Sequence, residues 1–157
     1  MPTIDVDQAF AYKYKGLARN VFGAMSDLAR LNIKALVERY MVLFEGAPDP
    51  FNTFNQIEAQ HSRFEFKSTY FFLVGRYGRY DKNINPLKRK LGKIINCLSE
   101  GSEIGIHPSY ASNRWLYKLR AELRYFRRLG IKVTKSRQHY LKLLLPKNIQ
   151  EAHKIGH

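Results

Sequence analysis

The amino-acid sequence predicts an α/β fold in which a parallel sheet is covered by outer helices. Short apolar runs rich in β-branched and aromatic residues alternate with longer segments whose apolar residues repeat at helical spacing. Breaks rich in Pro and Gly separate the two kinds of segment. The order gives about four β-α units, half of a closed β/α barrel. We therefore expect residues 1–157 to form a single incomplete β/α-barrel domain, and the chain to be a fragment of a longer protein.

The first half of the chain predicts two strands and two helices. Residues 2–7 are a short apolar run typical of a strand, and residues 17–45 carry apolar side chains at helical spacing. Two prolines in residues 46–50 end that helix. Asn52 or Thr53 caps the next helix, which runs to residue 63. The β-branched and aromatic residues of 67–74 then predict a buried strand.

The second half repeats the alternation. A helix opens at Asn83 or Asn85, with Pro86 in its first turn, and runs to Ser99. Residues 103–107 predict a third strand. A helix capped by Ser112 or Asn113 follows, and Gly130 closes it at the C′ position. Residues 131–134 predict a fourth strand, and a last helix begins at Pro146.

Composition excludes several classes of protein. Hydrophobic residues make up 45% of the chain, more than disordered chains carry. The longest apolar runs fall far short of the roughly 20 residues of a membrane span, and the N-terminal residues do not resemble a signal peptide. The single cysteine, Cys97, excludes an internal disulfide. We therefore expect no membrane span and a cytoplasmic location.

The formal net charge is +14, and it is concentrated in two stretches. Residues 76–93 contain seven basic residues opposed only by Asp81, and residues 114–142 contain ten opposed only by Glu122. Such a bias favours an anionic partner: nucleic acid, acidic glycans or an anionic lipid surface. The alternative is that these residues are solvated helix faces whose acidic counterparts lie elsewhere.

The side chains best suited to catalysis or metal binding lie at the ends of the predicted strands. Asp5 and Asp7 share one face of the first strand, where their repulsion requires a cation or a proton. His107 follows the third strand, and residues 137–140 follow the fourth. Together these side chains predict a divalent metal site at the carboxyl edge of the sheet. The alternatives are helix capping by an aspartate and a structural role for His107 in a turn.

The order of these motifs resembles the polysaccharide deacetylase family (NodB-homology domains). Residues 3–7, Thr-Ile-Asp-Val-Asp, are similar to its first motif, Thr-Phe-Asp-Asp. Residues 101–111 resemble its second, but Ala111 stands where the family has a second histidine. Residues 137–140, Arg-Gln-His-Tyr, approach its third, Arg-x-Pro-Tyr. The resemblance covers nearly the whole chain, although the family's later motifs, including a histidine general acid, do not occur in it.

The resemblance implies a β/α-barrel hydrolase that uses a divalent metal, most often zinc, to remove acetyl groups from a polysaccharide. Asp5 would be the general base, Arg137 would orient it, and the backbone N–H of Tyr140 would stabilise the oxyanion. Asp7, His107 and His139 would bind the metal, with His139 restoring the imidazole missing at Ala111.

Tyr12 and Tyr110 would contact the sugar, although packing in the core or at its rim explains them equally well. Without the later motifs we expect the fragment alone to be inactive. Two alternatives stay open: a basic nucleic-acid-binding module, and a deacetylase-like carbohydrate-binding domain that has lost catalysis.

Overall fold

A computed structural model describes residues 1–141 of the chain, which form a mixed α/β fold. A short 3-10 turn, His139–Leu141, closes the described part. The elements that precede it are, in chain order, β1 (Thr3–Val6), α1 (Leu17–Ala29), α2 (Ile33–Leu43), α3 (Phe54–Arg63), β2 (Thr69–Phe72), α4 (Arg89–Ser99), β3 (Glu103–Ile106) and α5 (Leu116–Arg128).

The sheet has three parallel strands in the order β1-β2-β3, at the three places where the sequence predicts the first three strands. Thr69 lies between Thr3 and Glu103 in the register. All four residues of β2 are buried, as expected for the central strand of a sheet covered on both faces. Because the strands are parallel, their carboxyl ends meet at one edge of the sheet.

The predicted fourth strand at 131–134 is wrong. Ile131 and Val133 pack against the core, but the only sheet pairing in this part of the described chain is a single parallel bridge between Ser136 and Ile106. Ile106 N–H donates to the Lys135 carbonyl and Arg137 N–H donates to the Ile106 carbonyl, both at 3.0 Å. The residues that pack against the core thus precede the residue that pairs with the sheet, Ser136. The bridge at Ser136 places residues 137–140 at the carboxyl edge of the sheet.

The single helix predicted for residues 17–45 is two helices, α1 and α2, joined by a tight turn. Leu31 adopts a left-handed conformation, with φ at 54°, which interrupts the helix. Asn32 then caps α2, since its side chain accepts a hydrogen bond from Ala35 N–H at 3.2 Å. We call this pair of helices, residues 17–43, the α1–α2 hairpin.

The predicted starts of α4 and α5 are also wrong, while the end of α5 is confirmed. Asn85 accepts from Leu87 N–H in a local turn, so α4 begins only at Arg89. Ser112 likewise bonds back to the Ser109 carbonyl, and α5 begins at Leu116. At the other end, Gly130 has φ at 76°, and its N–H bonds to the Arg127 carbonyl as a C′ glycine does. The helix predicted from residue 146 lies outside the described residues.

The core lies between the sheet and helices α3, α4 and α5. Tyr70 and Phe72 of β2 are fully buried and pack against Phe54 of α3, edge-on and stacked respectively, at ring distances of 6.3 Å. Leu91, Ile95 and Leu98 of α4 and Phe126 of α5 complete it. Within residues 1–141, none of the helices has the length and apolar character needed to cross a membrane.

Candidate metal centre

Three side chains from separate parts of the chain converge at the carboxyl edge of the sheet. Asp7 follows β1, His107 follows β3, and His139 opens the 3-10 turn. Asp7 Oδ1 lies 3.1 Å from His107 Nε2 and 3.3 Å from His139 Nδ1, and the two nitrogens are 2.9 Å apart. Ligand atoms around a tetrahedral ion with bonds of about 2.0–2.1 Å lie about 3.3 Å from one another. This cluster could therefore hold a metal ion.

Hydrogen bonds on the far side of each ring fix which nitrogen faces the centre. His107 Nδ1 lies 2.5 Å from the Arg137 carbonyl, which can only accept, so the ring hydrogen sits on Nδ1. His139 Nε2 faces the Tyr80 carbonyl at 3.4 Å and an Asp81 carboxylate oxygen at 4.0 Å, which are also acceptors. Both rings thus direct a nitrogen lone pair at the same point, as metal ligation requires.

The electrostatics of the cluster favour positive charge at its centre. Burial by itself would lower the pKa of His107, but the hydrogen bonds to Asp7 and to the Arg137 carbonyl outweigh it and raise that pKa above 6.5. When His107 is protonated, its Nε2–H donates to Asp7 and lowers the pKa of that carboxyl, against the opposing effect of burial.

Asp5 and Arg137 form an ion pair at the same edge of the sheet. Arg137 Nη1 donates to Asp5 Oδ1 at 3.1 Å, and its guanidinium lies 5.4 Å from the ring of Phe71, the register partner of Asp5. Both members of the pair are partly exposed. Arg137 therefore contributes at two points, because its backbone carbonyl orients His107 and its side chain orients Asp5.

Three tyrosines stand beside His139. The Tyr110 and Tyr80 rings lie 4.2 Å apart, and the Tyr140 ring meets both edge-on at 5.9 and 6.0 Å. Tyr140 adopts a left-handed backbone conformation with φ at 62°, which costs a residue with a Cβ about 1–2 kcal/mol. Such strain is typical of sites whose side chains must point in a particular direction. Tyr12 lies elsewhere: it is buried, and its hydroxyl donates to Glu38 of α2.

Two buried carboxylates that we did not predict hold the loop after His107. Asp81 accepts the Tyr110 N–H at 2.8 Å, on the same side chain that faces His139. Glu122 of α5 accepts the Ser109 N–H at 3.2 Å and its hydroxyl at 2.6 Å. Burial raises the pKa of Glu122 to about 7, although the Ser109 bonds oppose the rise. The sequence contained one indication of their importance: Asp81 and Glu122 are each the single acidic residue in a strongly basic stretch.

A third unpredicted carboxylate shapes the segment after Asp7. The Asp49 side chain is buried and accepts backbone N–H groups from Ala11, Tyr12 and Lys13 at 2.7–2.9 Å. It lies in the Pro-Asp-Pro break that ends the α1–α2 hairpin. This carboxylate therefore connects the segment after the hairpin to the loop that follows Asp7.

The structure thus brings together most of the residues that the sequence singles out. Asp5, Asp7, His107, Arg137 and His139 form one connected set, with Tyr140 and Tyr110 beside it. The side-chain partners of Tyr12 within residues 1–141 belong to α2, so its predicted contact with a sugar stays a prediction. No family model, curated protein or solved structure matches the chain, so the functional argument rests on this geometry.

Proposed function

We propose that the protein is a metal-dependent hydrolase that removes acetyl groups from N-acetylated or O-acetylated sugars of a polysaccharide. Zinc is the proposed metal, and the α/β domain is proposed to be part of a β/α barrel. The observation that carries the proposal is the convergence of three ligand atoms at 2.9–3.3 Å. Donation of two imidazoles and one carboxylate is typical of catalytic zinc sites, which keep a fourth position open for water or substrate.

The contacts support a separate role for each residue of the site. A bound divalent ion would polarise the acetyl carbonyl and lower the pKa of a coordinated water toward about 7. Asp7, His107 and His139 would hold it, while Asp5 would accept the proton of the attacking water. The ion pair with Arg137 fixes the direction of the Asp5 carboxylate. The Tyr140 backbone N–H is the proposed donor to the oxyanion.

The tyrosines beside the centre support a carbohydrate substrate. Aromatic rings present an apolar face and a polar tip, a combination suited to the C–H faces and hydroxyls of a sugar. Tyr80 and Tyr140 are substantially exposed, and the Tyr110 ring contacts both. A pyranose ring stacked here would lie next to the proposed metal ligands.

Zinc uptake is the first test because it requires only the cluster. Purified chain is freed of metal and titrated with zinc by calorimetry, and we expect one site per chain. Asp7→Ala should abolish that site, since it removes a ligand, while Asp5→Asn should keep it. His61→Ala is the matched control, because His61 pairs with Glu58 and Ser68 and not with the cluster.

Acetate release from N-acetylglucosamine oligomers then distinguishes the proposed general base, Asp5, from the proposed metal ligands. Where the zinc-loaded protein releases acetate, Asp5→Asn should lose at least about a hundredfold in rate while retaining zinc. Failure to bind zinc, or equal binding by Asp7→Ala, would contradict the proposal. Zinc binding with no acetate release from this chain or any longer form of the protein would favour the non-catalytic carbohydrate-binding domain.

One observation favours nucleic-acid binding as a second candidate. Exposed arginines occupy one side of α5 at helical spacing, and the only acidic residue of this helix, Glu122, is buried; the arginines are Arg120, Arg124, Arg127 and Arg128. Such a stripe would contact phosphates, so affinity for an oligonucleotide should fall steeply with salt. Arg124→Gln with Arg127→Gln should weaken binding and flatten the salt dependence. No oligonucleotide binding at low salt would remove this candidate.

A further inference from the structure

The α1–α2 hairpin presents its apolar side chains to solvent. None of the residues of α1 is buried, and Phe22 and Leu31 are 71% and 80% exposed. The exposed apolar face runs along both helices and across the turn between them; its central residues are Phe22, Met25, Leu28, Leu31, Ile33 and Val37. Monomeric proteins rarely leave so continuous an apolar patch uncovered.

The inner side of the hairpin is polar, which explains why the apolar residues point outward. Arg39 of α2 extends between the helices and bonds to Asp27 at 2.7 Å and to Asn20 at 3.1 Å, both on α1. Gly23 makes room for this guanidinium, because a Cβ there would lie 2.7 Å from it. The pattern is the reverse of an ordinary amphipathic hairpin, whose apolar stripe faces the body of the protein.

Further polar contacts hold the hairpin in this orientation. Arg19 donates to the backbone carbonyls of Lys82 and Asn83 at 2.6 and 3.1 Å. Glu38 accepts from the Tyr12 hydroxyl at 2.8 Å. Rotating the apolar face inward would break all of these bonds and bury their charges, so the face is a fixed property of the fold.

The charges at the turn indicate what covers this face. Arg30 and Lys34 flank Leu31, are exposed, and form no ion pair with any residue of 1–141. The acidic groups of the hairpin already have partners, since Asp27 bonds to Arg39 and Glu38 to Tyr12. An apolar surface rimmed by available cations is complementary to an anionic lipid surface, in which apolar side chains enter the acyl boundary and cations meet the headgroups.

We propose that the α1–α2 hairpin docks the protein on an anionic lipid bilayer, with its outward face lying in the membrane interface. The competing occupants are a second copy of the chain and parts of the protein outside residues 1–141. Two chains of formal charge +14 repel each other, however, and a symmetric pairing would place exposed cations of the two hairpins near one another. The same charge attracts the protein to an anionic surface.

Vesicle co-sedimentation of the full chain tests the proposal. We expect binding to phosphatidylcholine vesicles that contain phosphatidylserine, weaker binding to phosphatidylcholine alone, and a decrease with salt. Phe22→Asn with Leu31→Asn should lower affinity at least about tenfold, and asparagine tolerates the left-handed backbone at residue 31. Arg30→Gln with Lys34→Gln should cost about fivefold per charge.

A control variant with two substitutions outside the hairpin shows whether any loss of vesicle binding is specific to the hairpin. Phe64 and Phe66 are also about 60% exposed but lie outside the hairpin, so Phe64→Asn with Phe66→Asn should leave vesicle binding unchanged. No vesicle binding, or an equal loss in this pair, would overturn the proposal. It would also fail if light scattering showed a dimer that Phe22→Asn with Leu31→Asn converts to a monomer while vesicles are not bound. That outcome would show that a second copy of the chain covers the apolar face.

Discussion

Replacing Glu122 by glutamine should make the stability of the protein less dependent on pH. Glu122 is only 6% exposed and its carboxyl bonds to Ser109, and burial raises its pKa from an ordinary 4.5 to about 7. A difference of about 2.5 pKa units corresponds to about 3 kcal/mol. Because the folded state holds the proton more tightly, this contribution is fully present below pH 4.5 and is lost as the pH rises through 7.

Glutamine keeps the size of the side chain and the oxygen that accepts the Ser109 hydroxyl, but it cannot ionise. Its amide group faces the Ser109 N–H less favourably than a carboxylate oxygen does, which adds a cost that does not change with pH. The informative quantity is therefore the free energy of unfolding of Glu122→Gln minus that of the wild type. This difference should increase by up to about 3 kcal/mol as the pH rises from 4.5 to 8, because the wild type loses stability over that range and the variant does not.

Urea unfolding followed by circular dichroism at several pH values measures this difference. Glu100→Gln is the matched control: Glu100 is an exposed acid at the end of α4, where the side chain stays in water, and its pH-dependent difference should be much smaller. A difference that stays flat across the range for Glu122→Gln would refute the argument that burial of this carboxylate opposes folding at neutral pH.

Three further predictions follow from single contacts. Gly105→Ala should destabilise the fold by about 1–3 kcal/mol in urea unfolding, because its Cβ would lie 2.5 Å from the Phe71 ring; unchanged stability would contradict this. Asp49→Ala should cost about 1–3 kcal/mol by the same assay, since three loop N–H groups lose their acceptor. Asp81→Ala should weaken zinc binding about 10–100-fold in calorimetry, because His139 loses an orienting carboxylate; an equal affinity would show that Asp81 serves the Tyr110 loop alone.

The strands were predictable because burial and residue type agree there. Residues 69–72 are β-branched or aromatic, and the structure buries all of them in the centre of the sheet. The same run predicts where the carboxyl edge lies, and from that edge the proximity of Asp7 and His107 follows, whereas His139 was expected there from a fourth strand that does not form. The fourth strand failed because Ile131 and Val133 satisfy the hydrophobic pattern without forming a ladder.

The remaining differences arise from interactions that a local pattern does not contain. The break at Leu31 allows α2 to fold back so that Arg39 reaches Asp27, a tertiary contact with no signature in helical periodicity. Asn85 and Ser112 are good helix caps, but each bonds within a turn instead. Asp81 and Glu122 were interpreted only as charges, because burial of a carboxylate depends on partners that are distant in sequence.

The ion pair of Asp5 with Arg137 joins positions 132 residues apart, and the same span separates Asp7 from His139 in the candidate metal site. During synthesis Asp5 and Asp7 leave the ribosome long before His139, so the candidate centre cannot assemble until residue 139 has emerged. Closing so long a loop is entropically costly and is expected to come late in folding. A metal that bound only the completed centre would stabilise the native state selectively.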